Sequence, residues 1–171
     1  RRDTFVSASS FFAGEELRSH TGRAELLRYV SDRRLFTLRT REGTLFTFVR
    51  NDALGRKTYP LSSIVDRNGN RIALAYDSAG RLAKVLDTLG REIRFEYVSE
   101  WSPLLRSVQA NFGSGPESRE VTFGYSADDR EDLVEVTWPG VAADPSPTLR
   151  YEYQGAEDDA RFAHDLRRAL L

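Results

Sequence analysis

The sequence predicts an all-β chain of repeated antiparallel β-hairpins in a twisted sheet, and three observations carry that prediction. The first is a series of Asp-x-x-Gly steps at Asp66–Gly69, Asp77–Gly80 and Asp87–Gly90, each set between short apolar runs. Asp is favoured at the first position of a type I turn, where its carboxylate accepts backbone N–H bonds; Gly is favoured at the fourth, where it enters the left-handed region. Such a turn joins antiparallel strands. The second observation is alternation. Ile72, Leu74 and Tyr76 share one face and Arg71, Ala73 and Ala75 the other, and Ile93, Phe95 and Tyr97 stand likewise against Glu92, Arg94 and Glu96, which is the period of a half-buried strand. The third is repetition: Gly69, Ile72, Leu74 and Tyr76 fall on Gly90, Ile93, Phe95 and Tyr97 with a shift of 21 positions. A unit this short cannot bury its apolar face alone and stacks on its neighbours.

The elements follow in order. Residues 1–34 form a lead-in. Phe5–Val6 and Phe11–Phe12 are apolar pairs, Gly14 and Gly22 mark turns, and Leu26, Leu27 and Val30 fit a strand better than a helix. The hairpin repeats span 35–154. Phe36 and Leu38 alternate with Thr37 and Arg39, Glu42–Gly43 turns the chain, and Phe46 and Phe48 match Ile72 and Leu74 at a shift of 26. Asp52–Gly55 is a fourth Asp-x-x-Gly step. Leu61-x-x-Ile64-x-Asp66 then mirrors Leu82-x-x-Val85-x-Asp87, with Lys57–Pro60 inserted. Pro60 lacks an N–H for a ladder and suits the lead-in to a strand.

Beyond Tyr97 the repeat loosens. Trp101–Pro103 interrupts it; Leu105-x-x-Val108 and Leu133-x-x-Val136 restore the first strand type, and Val121–Tyr125 and Leu149–Tyr153 the second. Tyr97, Tyr125 and Tyr153 are each 28 positions apart, so the hairpin recurs with longer tips, which a stacked array tolerates at modest entropic cost. Leu82 and Val85 have opposite parity, which implies apolar contacts on both faces. Over 155–171, Phe162, Leu166 and Leu170 stand four apart, with acids before them and Arg167–Arg168 after, so the pattern predicts a short C-terminal helix. The apolar parity is expected to pack on another layer or on the lead-in.

The wording of the central repeat, from Gly80 to Tyr97, reads G-R-L-x-x-V-x-D-x-x-G-R-x-x-x-F-x-Y. It resembles the RHS or YD repeat, as do Asp66-Arg-Asn-Gly-Asn and Tyr76-Asp77. The resemblance covers about 35–154 and is sharpest over 61–97. It implies a β-sheet strip that spirals into a hollow shell. In bacterial polymorphic toxins and Tc-toxin components that shell encloses a C-terminal toxic domain, and teneurins use a related shell in cell adhesion. The implied role is a stretch of shell wall in a large secreted or cell-surface bacterial protein. The implied partners are the remaining repeats of the parent and the enclosed toxin domain. Bacterial members cleave themselves at an aspartate-containing segment after the repeats; nothing here matches it, so no catalytic residue is carried over. Asp52, Gly55, Asp66, Gly69, Asp77, Gly80, Asp87 and Gly90 are turn residues in this scheme.

Composition narrows the remaining classes. The 171 residues carry 25 basic and 26 acidic side chains for a net charge of −1, without the concentrated basic patch that nucleic-acid modules show. Cysteine is absent, so neither disulfides nor thiolate metal sites stabilise the chain. No apolar run reaches the roughly 20 residues of a membrane-spanning helix. The chain begins at Arg1 and ends on Leu170–Leu171, and both ends have the look of a fragment.

Asp66-x-Asn68-x-Asn70 suggests a calcium loop, but such a loop needs Gly sixth and Glu twelfth, where Arg71 and Asp77 stand. A hairpin turn explains every residue there. Glu92 and Glu96 lie among arginines on one polar strand face, normal for a solvated surface, so a paired-carboxylate hydrolase is not indicated. Gly113-Ser-Gly lacks the Gly and Lys of a phosphate loop. His20 has no second His or carboxylate at useful spacing, and His164 lies off the apolar stripe of the expected helix, as a solvated side chain does. The sequence thus predicts no enzyme and no cofactor. Most aromatics fall on the apolar parity as packing groups. Trp101 is the exception, expected to be the most exposed, and it carries the alternative of carbohydrate or protein binding.

Overall fold

The computed structural model describes residues 16–18, 26–30, 32–52, 57–111, 118–127, 131–140, 147–154 and 165–170. Every regular element among them is a β-strand, and the chain divides into two compact units, Arg1–Glu92 and Ile93–Leu171. In the first unit lie β1 (Glu16–Arg18), β2 (Leu26–Val30), β3 (Leu35–Arg39), β4 (Leu45–Val49), β5 (Leu61–Val65), β6 (Arg71–Tyr76) and β7 (Leu82–Asp87). Each pairs antiparallel with the next. Strand β8 (Glu92–Tyr97) begins at the division. In the second unit β9 (Leu105–Asn111), β10 (Ser118–Tyr125), β11 (Leu133–Thr137), β12 (Thr148–Tyr153) and β13 (Leu166–Leu170) form the same up-and-down meander.

Cross-strand register sorts the side chains of the first unit. Leu27, Leu38, Phe46, Ile64 and Ile72 form one apolar row, and Tyr29, Phe36 and Phe48 a second on the same face. The opposite face carries Arg28, Thr37, Thr47, Ser63 and Ala73 in register. Tyr59, from the insertion before β5, packs edge-on against Phe36 with ring centroids 4.8 Å apart. The apolar face is not sealed: Ile72 is 41 % exposed. Among the described residues only Ser63 and Ser107 are buried. The expected covering layer is not seen among those residues, and residues 1–15 of the lead-in lie outside them.

Bulges resolve the parity of the Leu-x-x-Ile/Val motif. In the β6–β7 pair, Ala75 faces Lys84 and Tyr76 faces Leu82, so Ala83 is left over. The extra residue resets the alternation, and Leu82 and Val85 both pair with the face of Leu74 and Tyr76. The opposite-face expectation is therefore corrected. The same shift sets Phe48 against Leu61, Tyr125 against Leu133 and Tyr153 against Leu166. By this register Phe48 corresponds to Tyr76, 28 positions on, rather than to Leu74.

The predicted C-terminal helix is also corrected. Residues Leu166–Leu170 form β13, with Tyr153 opposite Leu166 and Arg150 opposite Leu170. A spacing of four satisfies period 2 as well as period 3.6, and pairing with β12 decides between them. Phe162 and His164 lie outside the described residues, as do His20, Gly14, Gly22, Phe5, Val6, Phe11 and Phe12.

Candidate functional site

The repeated feature is how strands are closed. The last residue of a strand, or the one just after it, donates its N–H to the carbonyl just before the next strand. This bond joins Asp66 to Asn70 at 3.0 Å, Asp77 to Arg81 at 2.9 Å and Asp87 to Arg91 at 3.0 Å. It recurs across longer loops, from Val49 to Pro60 at 3.2 Å, Val98 to Leu104 at 2.9 Å, Ser126 to Asp132 at 2.8 Å and Gln154 to Asp165 at 3.0 Å.

In the three short turns a carboxylate completes the closure. Asp66 Oδ1 accepts the N–H of Asn68 at 2.8 Å and of Asn70 at 2.9 Å, while Oδ2 accepts Asn70 Nδ2 at 2.7 Å. Asp77 Oδ1 accepts from Ala79 at 3.0 Å and Arg81 at 2.8 Å, with Arg81 Nε on Oδ2 at 2.7 Å. Asp87 Oδ1 accepts from Leu89 and Arg91, both at 2.9 Å, with Arg91 Nε on Oδ2 at 2.6 Å. The glycine N–H returns to the Asp carbonyl at 3.0–3.1 Å in each. Gly69 and Gly90 have φ of 88° and 78°, and no atom lies within 4 Å of a Cβ built on either. Their requirement is therefore conformational, not steric crowding.

The electrostatics follow from these bonds. The Asn70 side-chain amide, with the N–H groups of Asn70 and Asn68, holds the Asp66 carboxyl below its ordinary value. Burial pushes the Asp77 and Asp87 carboxyls up, but the backbone and guanidinium of Arg81 and Arg91 outweigh it, and both end lowered. Hydrogen bonding to the charged form is what favours it.

The turn expected at Glu42–Gly43 is a fourth copy, begun by a different residue. Thr40 stands where the others have Asp: its N–H bonds Thr44 O at 2.9 Å, and Gly43 N–H returns to Thr40 O at 3.1 Å with φ of 90°. The Thr-x-x-Gly spacing was its signal in the sequence. Asp52 behaves otherwise, accepting Arg50 Nε at 2.7 Å, and Gly55 lies outside the described residues.

Tyrosines fasten the strand ends. Tyr76 donates its hydroxyl to Leu61 O at 2.8 Å and Tyr153 to Leu133 O at 2.8 Å. The Tyr125 hydroxyl meets the backbone of Leu105. Each reaches the first residue of the preceding strand, and burial pushes all three phenols up. These contacts explain the aromatic strand ends, for which alternation alone gave only packing.

A shallow groove of about 280 Å³ lies beside the turns at 66–70 and 87–91, lined by Ile64, Ile72 and Leu89 with Asp66, Asp87 and Arg91. Thr88 Oγ1 bridges the Arg71 N–H and carbonyl across it. Its carboxylates are fully engaged by the turns and offer structure rather than reactivity. Among the described residues no three His, Cys, Asp or Glu side chains converge as metal ligands, and no helix is long and apolar enough to cross a membrane. Trp101 is 78 % exposed in the β8–β9 connection.

Residues 60–92 match the family model for the RHS repeat. That segment runs from the end of the insertion through β5, β6 and β7 and contains all three acid turns. No curated protein matches the chain.

Proposed function

We propose, for a chain whose residues 60–92 are an RHS repeat, a structural role as wall in a repeat-built shell. The shell would enclose a C-terminal toxic domain of a larger bacterial protein that is secreted or displayed at the cell surface. The partners are the parent's other repeats and that enclosed domain, and the wall performs no chemistry of its own. The observation that carries this reading is the distribution of burial. Ser63 and Ser107 are the only buried side chains among the described residues, while apolar Ile72 stays open to contact. A self-sufficient domain of this length seals a core of large apolar side chains; a repeat strip shares that task with neighbours. The test is limited proteolysis of the full-length parent, intact and with residues 61–97 deleted. Protection of the C-terminal domain only in the intact protein supports enclosure; equal digestion in both contradicts it.

The exposure of Trp101 favours a second reading, a binding surface for carbohydrate or a protein partner. An indole face in water is suited to stacking on a sugar. A glycan array with the chain and its Trp101→Ala variant decides it: a signal lost in the variant supports binding, and none in either ends it.

A further inference from the structure

The turn at 66–70 differs from its two sisters at one chemically important place. Where they carry Ala79 and Leu89 before the glycine, it carries Asn68, and Asn68–Gly69 is the only Asn–Gly pair in the sequence. Both residues are exposed. A backbone nitrogen that follows Asn can attack the side-chain amide carbon and close a five-membered ring. Glycine opposes this least, because it brings no Cβ to the ring and restricts the backbone least. No atom lies within 4 Å of the place where a Gly69 Cβ would stand.

We propose that Asn68 is a site of spontaneous deamidation gated by opening of the Asp66 turn. The Gly69 N–Asn68 Cγ bond forms and the Cγ–Nδ2 bond breaks. The Gly69 amide proton passes to hydroxide, and Nδ2, taking a proton from water, departs as ammonia. Water then opens the cyclic imide at either carbonyl, leaving aspartate or isoaspartate at position 68.

The gate is the turn's own bonding. In the closed turn the attacking Gly69 N–H is held by Asp66 O at 3.1 Å, and the Asn68 N–H by Asp66 Oδ1 at 2.8 Å. The isoaspartate product routes the main chain through an extra methylene. The N–H groups of residues 68 and 70 then no longer fit one carboxylate oxygen, and the β5–β6 hairpin loses its lock.

The test is peptide mapping by mass spectrometry after incubating the full chain in warm, mildly alkaline buffer, folded and in urea. The wild type, Asp66→Ala and Asp66→Asn are compared. Asn68 should convert ahead of Asn51, Asn70 and Asn111, and faster in urea than folded. Asp66→Ala should speed conversion about thirtyfold, the factor carried by two hydrogen bonds of ordinary net strength. Asp66→Asn, whose amide oxygen still accepts both N–H bonds, should stay near the wild-type rate. No acid at position 68 in urea overturns the site. Equal rates for wild type folded and in urea overturn the gate, and that comparison holds even if Asp66→Ala does not fold.

Discussion

The hairpins between Leu61 and Arg91 and those between Ser118 and Asp165 close the same backbone bond by different means. In the first group three residues separate donor and acceptor, and a carboxylate takes two further N–H bonds inside each turn. In the second group the loops are longer. Where Asp77 stands in one, Ser126 stands in another, its hydroxyl accepting one N–H, from Asp132 at 3.0 Å. Ladder geometry is thus independent of loop length, whereas rigidity at the strand ends comes from the acid. A long loop costs little more to close than a moderate one, so an array can lengthen its tips while its strands keep register.

The largest expected effect falls on the best-shielded lock. Asp77 and Arg81 side chains are only 22 % and 20 % exposed. Asp77→Ala should lose about 2 kcal/mol of stability, since it frees two N–H groups and an arginine partner; Ser126→Ala should lose about half that. Chemical denaturation of both variants checks the ratio, and equal losses would erase the distinction between the two groups.

Acid should separate the groups as well. The Asp66, Asp77 and Asp87 carboxyls are all lowered in the fold. The stability they supply is therefore fully present above the unfolded value of about 3.9 and is lost as pH falls through the lower folded values. Circular dichroism and hydrogen exchange between neutral and strongly acid pH should show the turns within 66–91 loosening below about pH 4, with the N–H of Asp132, held by a hydroxyl and not a carboxylate, keeping its protection over that step.

The tyrosine fasteners are common to both groups, so their removal should not discriminate. Tyr76→Phe and Tyr153→Phe should each cost about 1 kcal/mol, the net value of one part-buried hydrogen bond. Smallest of all, Arg150→Ala breaks an ion pair with Glu135 whose side chains are 70 % and 41 % exposed. Thermal denaturation should show a loss of no more than about 0.5 kcal/mol.

The acid turns and the strands beside them were legible because turn chemistry is local: an Asp and a Gly three apart specify the geometry without help from distant residues. The turn at Glu42–Gly43 is legible from its glycine, but its kinship with the acid turns is not, because a hydroxyl residue, Thr40, begins it without the acid signature. Arg34 and Glu131 take φ of 49° and 54° at loop ends, where a glycine would have announced the turn. The bulges were written in the Leu-x-x-Ile/Val spacing, but strict alternation places those two residues on opposite faces. Leu166 and Leu170 fit the helical and the strand period alike, and only the partner strand β12 breaks the tie. The tyrosine hydroxyl bonds depend on which strand stands alongside, a long-range fact that no local pattern encodes. Trp101 interrupts the repeat pattern, and it is exposed in the connection between β8 and β9.

Amide hydrogen exchange at neutral pH, read residue by residue, addresses the turn locks most directly. The N–H groups of Asn70, Arg81 and Arg91 belong to turns near the surface, yet each is held by an aspartate oxygen at 2.8–2.9 Å. They should exchange far more slowly than in an unstructured chain, and lose that protection one turn at a time in Asp66→Ala, Asp77→Ala and Asp87→Ala. Exchange at unstructured rates in the wild type, with the strands on either side still protected, would show that the carboxylates do not hold the hairpins.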